Sequence, residues 1–303
     1  TQSRSSAASD VYKRQILIGD TIIDVNTEGT LLGTSSESPT LVISKNKETT
    51  TLGGAALVHR NLQQLHCEHQ FITGISTKDR ENNVFSDPTI SYVYTQKNTT
   101  TKHRYWCDKY KLLQVDTIDN SPITKTEFEK IKTTITNTNP NLIIVADYRH
   151  GFLSNELITF INDFNKPIIL DSQVSQNPAN HHLYKNIYLT LLNQHEASQY
   201  ALNVNWDKPE IWASELCNKL DSQIFIVKFA EKGCIYLDKE KNNFIKFKTT
   251  SVKNPIDTSG AGDAFLAGLI SEWKNIPLFD GIKFAVNWAT ESVKVKGANP
   301  PNE

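Results

Sequence analysis

Short apolar runs alternate with amphipathic helix patterns along most of this chain, and that alternation restricts the fold more than any other feature of the sequence. ILIGD (16–20), FITGIS (71–76), NLIIVADY (141–148), PIILDS (167–172), IYLTLLN (187–193) and IFIVKF (224–229) read as buried strands. Between them lie helical spacings: GAALVHRNLQQL (54–65), with Ala55, Val58, Leu62 and Leu65 in phase, then FEKIKTTITNT (128–138), LITFINDF (157–164), HEASQYAL (195–202) and IWASELCNKL (211–220). Strands that are apolar throughout need cover on both faces. The pattern therefore predicts a mostly parallel sheet with helices on both sides. Residues 40–50 and 89–117 interrupt the rhythm with β-formers and no helix pattern, and read as a small inserted sheet. Residues 232–250 read as antiparallel edge hairpins, and helices over about 261–275 and 279–296 close the chain.

Charge and cysteine usage exclude several classes of function. With 32 Lys and Arg against 33 Asp and Glu, the net charge is −1, too balanced for a general nucleic-acid binder. No apolar run reaches transmembrane length, so no membrane partner is expected. The four cysteines (Cys67, Cys107, Cys217, Cys234) are widely spaced with no CxxC pair, which suits a reducing, cytoplasmic compartment. Residues 1–15, TQSRSSAASDVYKRQ, are polar and Ser-rich without a signal-type apolar segment, and methionine is absent throughout. The expectation is that residues 1–15 are disordered or non-native and that one domain runs from 16 to 303.

The stretch NPIDTSGAGDAFLAGL (254–269) concentrates small residues between Asp257 and Asp263, in a chain with only 13 glycines, and a helix pattern follows at once. Small residues let a backbone approach a ligand closely. The amides of Gly260, Ala261, Gly262 and Asp263 can point at an anion there, aided by the helix dipole. An acid in an anion-binding turn is repulsive unless it has work to do. General-base work fits: Asp263 would take the proton of a hydroxyl attacking a phosphoryl group held by the amides. The competing reading is a Gly-rich turn with Asp263 as a helix cap.

DTSGAGDAF resembles the DTxGAGD signature of the PfkB/ribokinase family of carbohydrate kinases. Other blocks follow in the family's order: GDTIID (19–24), the di-glycine GGAA (53–56) and NQHE (193–196), similar to an NxxE motif. The resemblance covers roughly residues 16–299. It implies a ribokinase-like three-layer α/β/α sandwich with a mostly parallel central sheet and a small β lid, inserted at about 34–52 and 89–117. It implies ATP and Mg²⁺ as cofactors, Asp263 as base, and Gly260, Ala261 and Gly262 as anion hole. Asp24, Gly53 and Gly54 would bind the sugar. Asn193 and Glu196 would organise Mg²⁺ through water, and Lys228, Gly233 and Asp257 would lie on the nucleotide side. Asp147, at the end of a buried strand, is expected as a further pocket residue, with a helix cap as the competing reading.

Within the family, TSSESPTLVI (34–43), TLGGAA (51–56), TKHRYWCDKYKLLQVD (101–116) and VADYRHGFLS (145–154) resemble blocks of the heptose 7-phosphate kinases. That resemblance implies a sugar or sugar-phosphate acceptor, with the lid closing over it and forming a homodimer contact. Related heptose enzymes also carry a nucleotidyltransferase domain. The pocket departs from the pattern at Leu57, where an Asn is usual, and at Gln114 and Gln173, where cations are usual. Phe229 stands where the nucleotide side usually has a polar residue. Lys102, His103, Arg104 and Arg149 remain as nearby cations. These departures keep open a kinase for another sugar or nucleoside. A catalytically silent binding protein is the alternative of another class, disfavoured by Asp263. Lesser candidates are a metal pair in HCEH (66–69), set against a polar helix end, and His150 at the ligand edge of the sheet.

Overall fold

The computed structural model describes residues 14–301 apart from 109, 174–178, 251 and 274, so the expectation for the N-terminal segment falls, up to residue 13, outside the described residues. The strand–helix alternation resolves into two sheets. The large sheet has the order β13-β12-β11-β10-β9-β8-β1-β4-β5. From β11 (Ser222–Lys228) through β10 (Ile187–Asn193), β9 (Ile168–Ser172), β8 (Leu142–Asp147), β1 (Gln15–Gly19) and β4 (Gln70–Ser76) to β5 (Ile90–Thr95) every pairing is parallel. β12 (Gly233–Asp238) and β13 (Asn243–Lys248) add an antiparallel hairpin at one edge.

Strand side chains alternate between faces, so each central strand feeds two cores. Leu17, Ile144 and Ile169 pack with α1 (Ala55–Gln64), α6 (Ala261–Ser271) and α7 (Leu278–Ser292). Their neighbours Ile16, Ile18, Ile143, Val145, Ile168 and Leu170 pack on the other side with α2 (Lys125–Thr138) and α3 (Asn155–Asn162). Further along that side, Phe225 and Val227 meet Trp212 and Leu216, the latter on α5 (Ala213–Lys219). Two covered faces account for strands without polar alternation. The helix expected over 195–202 shortens to α4 (Gln194–Ala197). Ser198 Oγ donates back to Gln194 O at 2.7 Å, and the chain turns to bury Tyr200 and Ala201 against Trp212.

The second sheet has the order β3-β2-β6-β7 and takes up most of the strands read as a small inserted sheet. Its boundaries differ from those expected. β2 (Thr21–Thr34) belongs to it, separated from β1 only by Asp20, because β2 forms a long antiparallel ladder with β3 (Leu41–Gly54), with register shifts at Glu28/Gly29 and Leu31/Gly33. β6 (Thr100–Cys107) pairs with β2, and β7 (Tyr110–Thr117) with β6. Residues 90–95 instead close the edge of the large sheet beside β4. Gly54, the last residue of β3, leads directly into α1. The second sheet therefore springs from the carboxyl end of the large one, where ligands of open α/β sheets bind.

Candidate active site

The small residues before α6 have a steric explanation. Gly260, the N-cap, sits at φ +82°, and a Cβ there would lie 2.6 Å from Leu57 Cδ2. Leu57 is 1% exposed, so the side chain standing where an amide is usual packs beneath this turn. Asp257 accepts from Ser259 N at 2.9 Å, and Ile256 N and Asp257 N both donate to Val293 O, tying the turn to the end of α7. Asp257 thus shapes the turn. Ala261 N reaches Thr258 O at 3.4 Å. The first amides of α6 have no intrahelical acceptor, which leaves Gly262 and Asp263 as the best-placed donors.

Asp263 follows directly and is 9% exposed. Tyr148 OH donates a hydrogen bond to its Oδ1. Burial pushes its carboxyl up to about 7; Tyr148 and Lys228 oppose that rise, while Asp171 and Asp24 add to it. A carboxylate that titrates near neutrality suits a general base. Lys228, at the end of β11, is held by Asp171 of β9 at 3.0 Å. Burial pulls its ammonium down, but Asp171 and Glu196 outweigh this and hold it above its ordinary value. A Cβ on Gly262 would touch Lys228 Nζ at 3.4 Å, so the ammonium lies against the glycine turn.

Beside this group opens a cleft of about 520 Å³. Asn193, Glu196, Lys228, Gly233, Ala261 and Gly262 line its polar side, and Phe265, Val286 and Val293 its apolar side. Gly233 has φ +107°, and a Cβ would meet Phe247 O at 2.0 Å, so its role there is to let the β12–β13 hairpin close. Asn193 and Glu196 form a capping box on α4: Glu196 N donates to Asn193 Oδ1 at 2.9 Å, and Asn193 N to Glu196 Oε2 at 2.7 Å. Among the described residues no group of three or more His, Cys, Asp or Glu could hold a metal ion by itself. A hard divalent cation would fit here only if phosphate oxygens and waters supplied most of its shell.

On the lid side, Gly53 and Asp24 face each other so closely that a Cβ at 53 would sit 1.9 Å from Asp24 Oδ2. Gly54 has φ +63° and passes 2.6 Å, at the position of a Cβ, from Asp20 O. Asp24 Oδ1 accepts from Arg104 Nη1 at 2.5 Å, and Arg104 Nε donates to Gln114 Oε1 at 3.3 Å. Gln114, read as a lost cation, instead helps to orient one.

Asp147 is not delivered to the cleft. It is 2% exposed, and its carboxylate accepts from Arg149 N, Ser172 Oγ, Asn180 Nδ2 and Tyr184 OH. Strand alternation turns it inward as a buried anchor for the chain beyond β8 and β9. His150 Nδ1 lies 2.9 Å from Asn120 Oδ1, and burial pulls its imidazole down to about 4. The HCEH pair is not brought together: His69 Nε2 lies 2.8 Å from His59 Nδ1, and Asp87 flanks His59. The sequence reading missed Asp20, Tyr148 and Asp171. All three stand at or just beyond carboxyl ends of parallel strands, the position rule that could have flagged them.

Residues 14–303 match the profile of the pfkB family carbohydrate kinases. The chain belongs to that family. Curated pfkB relatives include the bifunctional protein HldE of Hyphomonas neptunium, 28% identical over 272 residues, covering 85% of this chain and 55% of that protein. The HldE of Helicobacter pylori is 28% identical over 292 residues, covering 90% and 61%. The chain thus spans little more than half the length of these relatives. Escherichia coli phosphofructokinase-2, in a complex with potassium, superposes with a TM-score of 0.76 at 17% identity, covering 96% of this chain and 95% of that one. Arabidopsis thaliana ribokinase, complexed with ribose and ATP, gives 0.69 at 16% identity, covering 95% and 96%. These likenesses establish the ribokinase-type fold. No helix among the described residues is long and apolar enough to cross a membrane.

Proposed function

We propose that this pfkB kinase transfers the γ-phosphate of ATP, with Mg²⁺, to a hydroxyl of a sugar or sugar phosphate resembling heptose 7-phosphate. The observation that carries the reading is the placement of Asp263: a buried carboxyl near neutral pKa, one turn inside a glycine-lined helix start and beside a paired lysine. Asp263 accepts the acceptor hydroxyl's proton. Gly260, Ala261 and Gly262 supply the small turn whose amides meet developing negative charge, and Lys228 adds a fixed positive charge next to it. Asn193 and Glu196 lie in the cleft where they would hold water around Mg²⁺, which neutralises phosphate charge when bound. Asp24, pinned by Arg104, and the Gly53–Gly54 turn hold sugar hydroxyls. The heptose assignment is supported by the HldE relatives, whose remaining length leaves a second activity outside this chain's match.

A kinase for a different sugar or a nucleoside is the second reading, favoured by Leu57, which places an aliphatic group under Gly260. The lid supports self-association: Leu31, Leu32, Leu41, Tyr110, Leu113 and Val115 are all exposed on its strands. A homodimer through this sheet would cover them. ADP release with ATP and Mg²⁺ over heptose 7-phosphate, hexose phosphates, free hexoses and nucleosides tests the assignment. Turnover on heptose 7-phosphate supports the first reading. Turnover confined to another acceptor replaces the substrate, and silence on all with ATP bound removes the kinase reading of this site.

A further inference from the structure

Asp263 has two carboxylate oxygens, and one of them is committed inside the protein. Tyr148 OH donates to Oδ1, and the phenol belongs to the core that contains α1 and α6. Tyr148 is itself fixed from below. Asp20, the single residue between the two sheets, accepts from Tyr148 N at 3.0 Å through Oδ2 and from Phe152 N at 3.1 Å through Oδ1. The chain between those amides is bent by Arg149 at φ +65° and Gly151 at φ +85°. A Cβ at 151 would lie 2.3 Å from Ser121 O, so the bend is also held from outside.

We propose that Tyr148 is a positioning residue for the catalytic base. It holds Asp263 Oδ1 so that Oδ2 is presented to the acceptor hydroxyl, and Asp20 fixes Tyr148 by clamping the backbone on either side of its loop. The proposal rests on the reading of Asp263 as base. A phenol donating to a carboxylate favours the ionised form, so removing it makes the carboxyl hold its proton to higher pH. The other groups facing Asp263 are Asp171 from the end of β9, Lys228 from the end of β11 and Asp24 from β2, the last neutralised by Arg104 of β6. The Lys228–Asp171 pair and the Asp24–Arg104 pair are each internally compensated. Tyr148 is therefore the uncharged neighbour whose removal changes the carboxyl without unbalancing a charge pair.

Tyr148→Phe keeps the ring in the core and removes only the donor. The expected result is a pH profile of kcat displaced upward by about one unit, with KM for the sugar within about twofold. At pH 7 turnover falls by about fivefold, and the deficit closes by about pH 9. Asp20→Asn keeps an acceptor for one of the two amides and turns an NH2 donor towards the other, so it loosens the clamp and moves the profile in the same direction by less. Carbon-13 NMR of the Asp263 carboxyl follows its titration directly and does not depend on turnover. An unshifted titration in Tyr148→Phe, or a loss of kcat equal at every pH, overturns the proposal. Asp263→Asn separates the two readings. If that variant keeps turnover, the base assignment fails. If it is inactive while the Tyr148→Phe profile superposes on the wild type, the base stands and the role of Tyr148 falls.

Discussion

Asp263→Asn should abolish turnover and stabilise the protein, and the stabilisation should depend on pH in a stated way. Asn preserves the side chain's shape and an acceptor for Tyr148 OH. It removes the proton acceptor, so turnover falls by about 10²–10⁴-fold. The stability effect follows from the difference between the carboxyl's ordinary value of 3.8 and about 7 in the fold. Between those values the folded state binds the proton more tightly than the unfolded one, so the wild type loses stability as pH rises. At 1.36 kcal/mol per unit, the loss accumulates to roughly 4 kcal/mol above pH 7. The Asn variant, which does not titrate, escapes it. Its melting temperature should match the wild type's near pH 4, pull ahead through pH 5 and 6, and level off above pH 7 on the order of 10 °C higher. Thermal melts without nucleotide or sugar across that range measure this. An offset that is flat with pH would refute the argument that burial raises this carboxyl, and unchanged turnover would refute its role as base.

Gly53→Ala should drive Asp24 from its place, since the new Cβ would fall 1.9 Å from its Oδ2. We expect KM for the sugar to rise by about tenfold or more with nucleotide affinity unchanged, measured by steady-state kinetics. Lys228→Met should destabilise the fold by about 3 kcal/mol in denaturant titrations by stranding Asp171. Adding Asp171→Asn should restore most of that stability without restoring activity; failure to restore it would show that packing, not charge, was lost. His181 is 2% exposed, and burial pulls its imidazole down to about 3. Its contribution is therefore complete above about pH 6.5 and is lost as pH falls towards 3, because the unfolded chain then binds a proton that the fold refuses. His181→Gln should flatten acid unfolding between pH 6 and 4, and an unaltered slope there would remove His181 from the account.

The strand–helix alternation and the small-residue turn were legible because they depend on local periodicity and on residue size. Both faces of the large sheet are covered, and its strands carry no polar alternation, so IIVAD and IFIVK could be read one at a time. The lid boundaries were not legible. Thr21–Thr34 and Ile90–Thr95 are both β-forming, and which sheet each joins depends on long-range ladders with β3 and β4. Spacing could single out Asp263 but could not tell which neighbouring acid shares its site. Asp147 ends β8 and Asp171 stands one residue before the end of the adjacent parallel β9, yet one is saturated by four donors inside the fold and the other holds Lys228. The sequence by itself determined the layers, the small-residue turn and the acid within it, since these follow from patterns a few residues long. Only the tertiary structure set Tyr148 against that acid and Asp20 against Tyr148, because these contacts join positions 115 and 128 residues apart, and only the packed sheet brings such groups within hydrogen-bonding distance.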